Sequence, residues 1–315
     1  FHRFQIDKKD DIPRLGLGER HFVQIFFRKT SSIGNSQTEK RLSSDVQIAL
    51  RYVKSSNEDF VVNDSAWYWK NPAGKAKPSV TNSAKFITGR FQSKLRELGW
   101  ATDKTILDQV IDGYLEVEDE FALYRLEASR LIELLQAYEK LSGASAGPIA
   151  TSIHQSYCLR ASPGLIPALK GLEHFFSRSD AKTTFRCGVE FETGNIASSF
   201  RAAMKLDYLF KEKALDLGIF ITSNDKANCA ARIWPVSNRN GSFQELDRRN
   251  FSEAVTIPLW EIGFAPDRFD ANAKYLAEDG SLYEMNATGK QERIDSVLYD
   301  QYSDIRGHIK LKPVD

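Results

Sequence analysis

Residues 184–222 constrain the fold most, because they have the pattern of a strand, a helix and a second strand. The first strand is TFRCGVEFET, the helix NIASSFRAAMKLDYLFKEKALD has Ile196, Phe200 and Met204 at four-residue steps, and LGIFIT is the second strand. A unit of this kind favours a right-handed crossover and parallel pairing. Further strands at AARIWPV and AVTIPLWEIGF extend it. The predicted fold class is α/β (α+β), with a central mixed sheet flanked by helices.

The rest of the chain shows weaker patterns. HFVQIFF indicates a strand, and SSDVQIALRYV indicates a helix with Ser43 or Ser44 as its cap. RFQSKLRELGW predicts a helix that ends at Gly99. We expect a long helical region over 105–142, a loop at SAWYWKNPAGKAKPSV and an irregular polar segment over 266–315. The predicted organisation is a basic extension or DNA-contacting subdomain at 1–85, a core at 86–265 and a C-terminal extension at 266–315.

Composition narrows the class of protein. The chain has 315 residues, of which 42% are hydrophobic, enough for a substantial core. It lacks an apolar run long enough for a membrane span, and its three cysteines are too few and too dispersed for a disulfide framework, so we expect a cytoplasmic protein. Residues 1–100 carry 18 Lys and Arg against 10 Asp and Glu, which is compatible with a polyanionic partner.

The carboxylates of the first strand raise the question of metal binding. Side chains alternate faces along a strand, so Glu190 and Glu192 emerge together, opposite Cys187, Val189 and Phe191. Two like charges this close are costly unless a cation neutralises them. A turn at DAKTT would bring Asp180 beside Glu190, and three converging carboxylates favour Mg²⁺. The simpler alternative is that both glutamates are exposed on an edge strand.

The residues that follow the strand suggest contacts with a polyanion. Asn195 and Ser198 open the helix, and Arg201 and Lys205 share one of its faces. Asn195 is also a suitable helix cap, and the two basic residues are equally compatible with a solvated face.

Two predicted loops also carry basic and polar side chains that could contact a polyanion. Lys70, Lys75 and Lys77 follow Trp67 and Trp69, which suits stacking and phosphate contact, although core packing is the stronger interpretation for the tryptophans. Arg239 and Asn240, like Arg248 and Arg249 downstream, either read bases or belong to a simple turn.

The combination of D180-x9-E190-x-E192 with GNIASSFRAAMKLDYLF and LDLGIFIT resembles the core of the PD-(D/E)xK nucleases, and more narrowly the type II restriction endonucleases of the BamHI/BglII-like group. The similarity is clearest over 173–265. Most enzymes of this class have Lys at the last position of the motif, where this chain has Glu192, a variant that occurs in that group. RFQSKLRELGW also looks like the helix that opens such a core.

This resemblance implies a sequence-specific, Mg²⁺-dependent endonuclease that hydrolyses phosphodiester bonds of double-stranded DNA. Asp180 and Glu190 would ligate the metal, Glu192 would hold or deprotonate the attacking water or bind a second metal, and Glu173 would be a further acid nearby. Asn195, Ser198 and Arg201 would face the DNA. Without a lysine at 192, either metal stabilises the developing charge or Lys205 reaches in from the helix. A palindromic site would call for a homodimer.

Two other functions fit the same residues. A structure-specific or repair nuclease would use this core without sequence preference. A DNA-binding protein without catalysis would use the carboxylates only structurally.

Overall fold

The computed structural model describes residues 24–29, 36–56, 58–126, 128–143, 145, 171–192, 196–224, 243–249 and 254–314. Within these ranges the helices are α1 (Ser36–Arg51), α2 (Ala84–Glu97), α3 (Leu131–Ser142), α4 (Ile196–Lys211) and α5 (Phe243–Arg248). The strands are β1 (Gln24–Lys29), β2 (Val61–Val62), β3 (Trp67–Lys70), β4 (Ala76–Ser79), β5 (Lys104–Ile106), β6 (Gln109–Ile111), β7 (Gly113–Leu126), β8 (Phe176–Glu192), β9 (Leu217–Ser223), β10 (Leu259–Ala265), β11 (Arg268–Phe269), β12 (Tyr275–Leu276), β13 (Leu282–Tyr283), β14 (Asn286–Ile294), β15 (Val297–Ser303) and β16 (Ile309–Pro313).

The predicted mixed central sheet is confirmed. Its strand order is β1-β10-β9-β8-β7, with β8, β9 and β10 parallel and β1 antiparallel to β10. The parallel pairing of β8 with β9 across α4 is the predicted crossover unit. All seven residues of β9 are buried, as expected for a strand covered on both faces. The predicted strand AARIWPV lies outside the described residues.

One face of the sheet carries an aromatic core. The Phe191 ring lies 5.2 Å from Phe91 of α2 and 5.7 Å from Phe264 of β10, measured between ring centroids. Phe264 in turn stacks on Phe60 at 5.6 Å. These contacts fix α2 against the face of β8 that points away from Glu190.

The opposite face packs against α4. Gly188 of β8 and Gly218 of β9 are paired in register, and both approach Leu206 of α4. A Cβ at Gly188 would lie 2.7 Å from Leu215 Cδ1 and 3.3 Å from Leu206 Cδ2. The helix therefore lies close to the sheet because two neighbouring strands lack side chains beneath it.

The predicted end of α2 is confirmed, and the structure adds the cap at its start. Ser83 caps the N-terminus by accepting a hydrogen bond from the Lys85 N–H. Gly99 follows the helix with φ +89°, and the Trp100 N–H donates to the Leu95 carbonyl at 3.0 Å. By contrast, α1 begins at Ser36, so Ser43 and Ser44 lie inside the helix and the predicted cap is wrong.

The predicted helical region over 105–142 is wrong for most of its length. Only α3 is helical for more than one turn, and β5, β6 and β7 precede it. Leu107 and Asp108 both have positive φ, which closes a tight hairpin between β5 and β6. In β7 the sequence Leu-Glu-Val-Glu over 115–118 alternates buried and exposed residues, and this two-residue period marks a strand.

The expectation of an irregular C-terminal segment is also wrong. The strands β14, β15, β16, β3 and β4 form a second five-stranded sheet in that order, so the aromatic-lysine segment predicted as a loop is a hairpin of this sheet. Its small core consists of Ile294, Tyr299 and Leu311, with Tyr68 and Ala76 packed against it. Long polar side chains at alternate positions concealed the strands in the sequence.

The chain folds into two compact units. One comprises 1–21, 32–39 and 118–184, and the other comprises 22–31, 40–117 and 185–315. In the first unit, α3 buries Leu134 against Leu172 and Phe175. No helix in the described part of the chain combines the length and apolar character that a membrane crossing requires.

A buried aspartate ties α4 to the segment that enters β10. Asp207 Oδ1 accepts hydrogen bonds from the Thr256 N–H at 2.6 Å, the Thr256 hydroxyl at 2.8 Å and the Ile257 N–H at 3.0 Å. Lys211 Nζ lies 2.6 Å from Oδ2. Burial alone would raise the pKa of Asp207, but the donors from Lys211, Thr256 and Ile257 together lower this pKa below its ordinary value.

We expect Asp207→Asn to lower the free energy of unfolding near neutral pH by about 2–4 kcal/mol, because four donors lose a charged acceptor. Since the folded-state pKa is depressed, the advantage of the native aspartate is present above the unfolded-state pKa and is lost as pH falls through the folded-state pKa. Urea unfolding of both proteins at neutral and acidic pH measures the difference in their free energies of unfolding.

Asp108→Asn at an exposed turn is the matched control. A stability difference between wild type and Asp207→Asn that does not change with pH would contradict the role given to the Asp207 carboxylate.

Candidate active site

The strand β8 presents its two glutamates on one face. Cys187, Val189 and Phe191 are buried on the other face, as predicted. Glu190 is only 5% exposed and Glu192 is half-buried. Because β8 lies between β9 and β7, the alternative in which Glu190 is an exposed edge-strand residue is wrong.

A third carboxylate reaches these glutamates from the connection between two other strands. Asp112 lies between β6 and β7, and its Oδ2 accepts a hydrogen bond from the Phe191 N–H at 2.8 Å. Phe191 stands between Glu190 and Glu192, so this bond holds Asp112 beside both. Gly113 makes the approach possible, since a Cβ there would lie 3.3 Å from Val189 Cβ.

A buried amide supports Asp112 from α2. Gln92 Nε2 donates to Asp103 Oδ1 at 3.0 Å and lies 3.3 Å from Asp112 Oδ1. Gln92 is 9% exposed, and its contacts connect the helix to the loop that carries Asp112. The orientation of Asp112 is therefore fixed from two sides, by an amide of α2 and by the backbone of β8.

One lysine enters the same cluster from α4. Lys205 Nζ lies 2.7 Å from Glu190 Oε1 and donates to the Val110 carbonyl at 2.6 Å. Glu190 Oε1 is buried, and the Lys205 ammonium 2.7 Å away is the charged group paired with it. Two alternatives were expected in the absence of a lysine at 192. The position of Lys205 agrees with the alternative in which this side chain extends from the helix toward the carboxylates.

The cluster has strongly perturbed electrostatics. Burial, followed by the charge of Asp112 and more weakly that of Glu192, raises the pKa of Glu190 to about 8, and Lys205 acts in the opposite direction. Burial also raises the pKa of Asp112, against the lowering effect of the Phe191 N–H and Lys205. Charged carboxylates in this space need a neutralising cation.

The donor set fits a hard divalent cation. Asp112, Glu190 and Glu192 carry carboxylate oxygens, the ligands that Mg²⁺ prefers. Within the described ranges, no group of three or more His, Cys, Asp and Glu side chains is arranged to hold a metal ion, so Asp112, Glu190 and Glu192 are not a preassembled metal centre. The ammonium of Lys205 contacts the oxygen that a metal would use.

The predicted partnership of Asp180 with Glu190 loses its basis. Residues 180–184 do not form the expected turn but continue β8, so Asp180 precedes Glu190 by ten positions on the same strand. The side chains of Asp180 and Glu173 lie outside the described part of the structure.

The predicted DNA-contact residues fall in several places. Ser198 is half-buried and Arg201 is exposed on α4, whereas Asn195, Arg239 and Asn240 lie outside the described residues.

The lysines and tryptophans of the β3–β4 hairpin differ in their surroundings. Lys70 forms a close ion pair with Glu292. Lys75 and Lys77 are exposed in the β3–β4 hairpin, with no ion-pair partner among the described residues. Trp67 is buried as predicted, but Trp69 is 42% exposed.

Sequence reasoning missed Asp112 because its segment was interpreted as helix. The sequence contains a usable signal: the apolar pair Val110–Ile111 is followed by Asp112 and Gly113, and then by alternating residues. That pattern marks a carboxylate at the entry to a strand. Nothing in the sequence pairs it with Glu190, which lies 78 positions further on.

A comparison with known families identifies one family model that matches the chain. A family model described as restriction endonuclease BamHI matches residues 21–280, which is more than half of the chain. The matched segment includes Asp112, Glu190, Glu192 and Lys205 and ends before β13. No curated protein sequence matches the chain.

Proposed function

The chain belongs to the restriction endonuclease BamHI family, and on this premise we propose that it is a Mg²⁺-dependent type II endonuclease that cuts double-stranded DNA at a specific site. The observation that carries the proposal is that Asp112 accepts a hydrogen bond from the backbone N–H between Glu190 and Glu192, which places three carboxylates near one another.

In this proposal Asp112 replaces Asp180 as the partner of Glu190 in metal binding. When bound, Mg²⁺ supplies a Lewis acid that polarises the phosphate and lowers the pKa of a water ligand. Phe191 fixes Asp112 through its backbone N–H, and Gln92 supports the same carboxylate from α2. The two ligands are thus held in place before substrate arrives.

Glu192 is the proposed general base. It is the less buried of the two strand glutamates and lies next to the pair that would hold the metal. Its carboxylate would orient the attacking water and accept its proton, while the leaving 3′ oxygen departs in line. Binding a second metal is the remaining alternative for this residue.

We propose that α4 and the β3–β4 hairpin contribute DNA contacts. Arg201 is exposed on α4, and with Ser198 and Asn195 it would approach base edges or phosphates. Lys75 and Lys77 would contact phosphates, with Trp69 of the paired strand exposed beside Lys77. A palindromic site would be cut by a homodimer, with one active site for each strand.

We expect Glu190→Ala and Asp112→Ala each to reduce cleavage by about 10²-fold or more while duplex binding persists, because each removes a carboxylate from the proposed metal site. Plasmid digestion and a binding titration measure the two properties. Asp180→Ala separates the two candidate partners of Glu190, since retained cleavage supports Asp112. Full cleavage by Asp112→Ala would refute the site.

The same digestion tests specificity and symmetry. Discrete fragments whose ends show cuts in both strands at a palindrome support a dimeric restriction enzyme. A smear points to the structure-specific or repair nuclease, and intact DNA with binding points to the non-catalytic alternative. Nicks confined to one strand would contradict the dimer.

For the hairpin, we expect Lys75→Glu with Lys77→Glu to weaken duplex binding and to reduce the slope of log K against log salt by about 2, since two phosphate contacts are lost. Binding titrations at several salt concentrations measure the slope. The control Lys54→Glu with Lys213→Glu makes the same charge change at exposed positions elsewhere. Equal slopes for wild type and the hairpin variant would exclude these phosphate contacts.

A further inference from the structure

We propose that Lys205 is the resident cation of the carboxylate cluster, and that metal binding displaces its ammonium from Glu190. The inference concerns regulation of the site and rests on the proposed function only in taking the displacing ligand to be a divalent metal. Lys205 would then set the metal affinity of the free enzyme.

The first support is the position of the ammonium. Lys205 Nζ bridges Glu190 Oε1 on β8 at 2.7 Å and the Val110 carbonyl, two residues before Asp112, at 2.6 Å. It also lies close enough to Asp112 to lower the pKa of that carboxyl. A cation held between the two strands that supply the carboxylates occupies the space where a metal shared by Asp112 and Glu190 would lie.

The second support is the state of the Glu190 oxygen. Oε1 is buried, and the Lys205 ammonium 2.7 Å away is the cation that neutralises it. A metal ligand distance of about 2.1 Å to the same oxygen is incompatible with an ammonium at ion-pair distance on the same side. A metal that also binds Asp112 would approach Oε1 from the side that the ammonium now occupies, so the two cations would compete there.

A second ion pair on the same helix shows the contrast. Asp207 pairs with Lys211, and its other oxygen accepts three hydrogen bonds from Thr256 and Ile257. That carboxylate is fully satisfied by protein groups and offers nothing to a metal. Glu190 Oε1 has no backbone or hydroxyl donor of this kind from the described residues, so a metal could replace Lys205 as its partner. The pair of Asp207 with Lys211 is instead structural.

The lysine also has a route away from the cluster. The Lys205 side chain is 23% exposed, whereas the Glu190 side chain is 7% exposed. A change of rotamer can move the ammonium to solvent without exposing the carboxylate. The metal-free protein thus keeps its acidic cluster compensated, and metal binding requires the release of this contact.

Calorimetric titration with Mn²⁺ in the absence of DNA tests the proposal without relying on cleavage. We expect Lys205→Met to bind Mn²⁺ about tenfold more tightly than wild type or better, because a competing like charge is removed. Lys205→Arg keeps the charge and should stay within about threefold of wild type. Lys213→Met makes the same charge change on an exposed residue after α4 and should leave the affinity unaltered.

Thermal unfolding separates this role from a purely structural one. Without metal, Lys205→Met should melt below wild type, and saturating Mn²⁺ should remove most of the difference, because the metal then compensates the carboxylates. Equal destabilisation with and without Mn²⁺ would overturn the proposal. Lys205→Gln repeats the test if the methionine variant fails to fold.

The outcomes distinguish the inference from the proposed function. Mn²⁺ binding that Lys205→Met leaves unchanged or weakens overturns the inference and leaves the metal site standing. Absence of Mn²⁺ binding in both wild type and Lys205→Met overturns the metal site and the inference together. Mn²⁺ binding by Lys205→Met but not by wild type supports both the metal site and the inference.

Discussion

Repulsion among three carboxylates is the constraint on which the rest of this site depends. Glu190 is withdrawn from water, and after this burial the charges of Asp112 and Glu192 further raise its pKa. Such a cluster persists only with a compensating cation or with carboxyls that stay protonated. Lys205 supplies one positive charge, while burial and the neighbouring carboxylates raise the pKa of Glu190.

The fold builds this cluster by bringing a strand, a loop and a helix to one place. The position of β8 between β9 and β7 buries Glu190, and Gly188 allows α4 to pack closely enough for Lys205 to reach it. Gly113 allows Asp112 to approach the backbone of β8. On the other face, Phe91 and Phe264 hold Phe191, so the strand that presents the carboxylates is anchored by its apolar side.

The sequence predicted the parts of the site that depend on local pattern. Alternation placed Glu190 and Glu192 on one face, helical spacing identified α4, and the strand–helix–strand order predicted the parallel pairing of β8 and β9. It failed where distant segments meet. Asp112 precedes Glu190 by 78 residues, and only the pairing of strands brings them together, whereas the locally closer Asp180 invited a turn that β8 does not make. The second sheet was missed for a related reason, since its strands expose long polar side chains and join residues 67–79 to 286–313.

The central claim is that Asp112 and Glu190 together hold the catalytic metal. Anomalous diffraction from crystals soaked in Mn²⁺ tests it most directly. We expect an anomalous peak between these two carboxylates, with the ammonium of Lys205 moved away from Glu190 Oε1. A peak bound by Asp180 instead, or no peak within reach of Asp112, would contradict it.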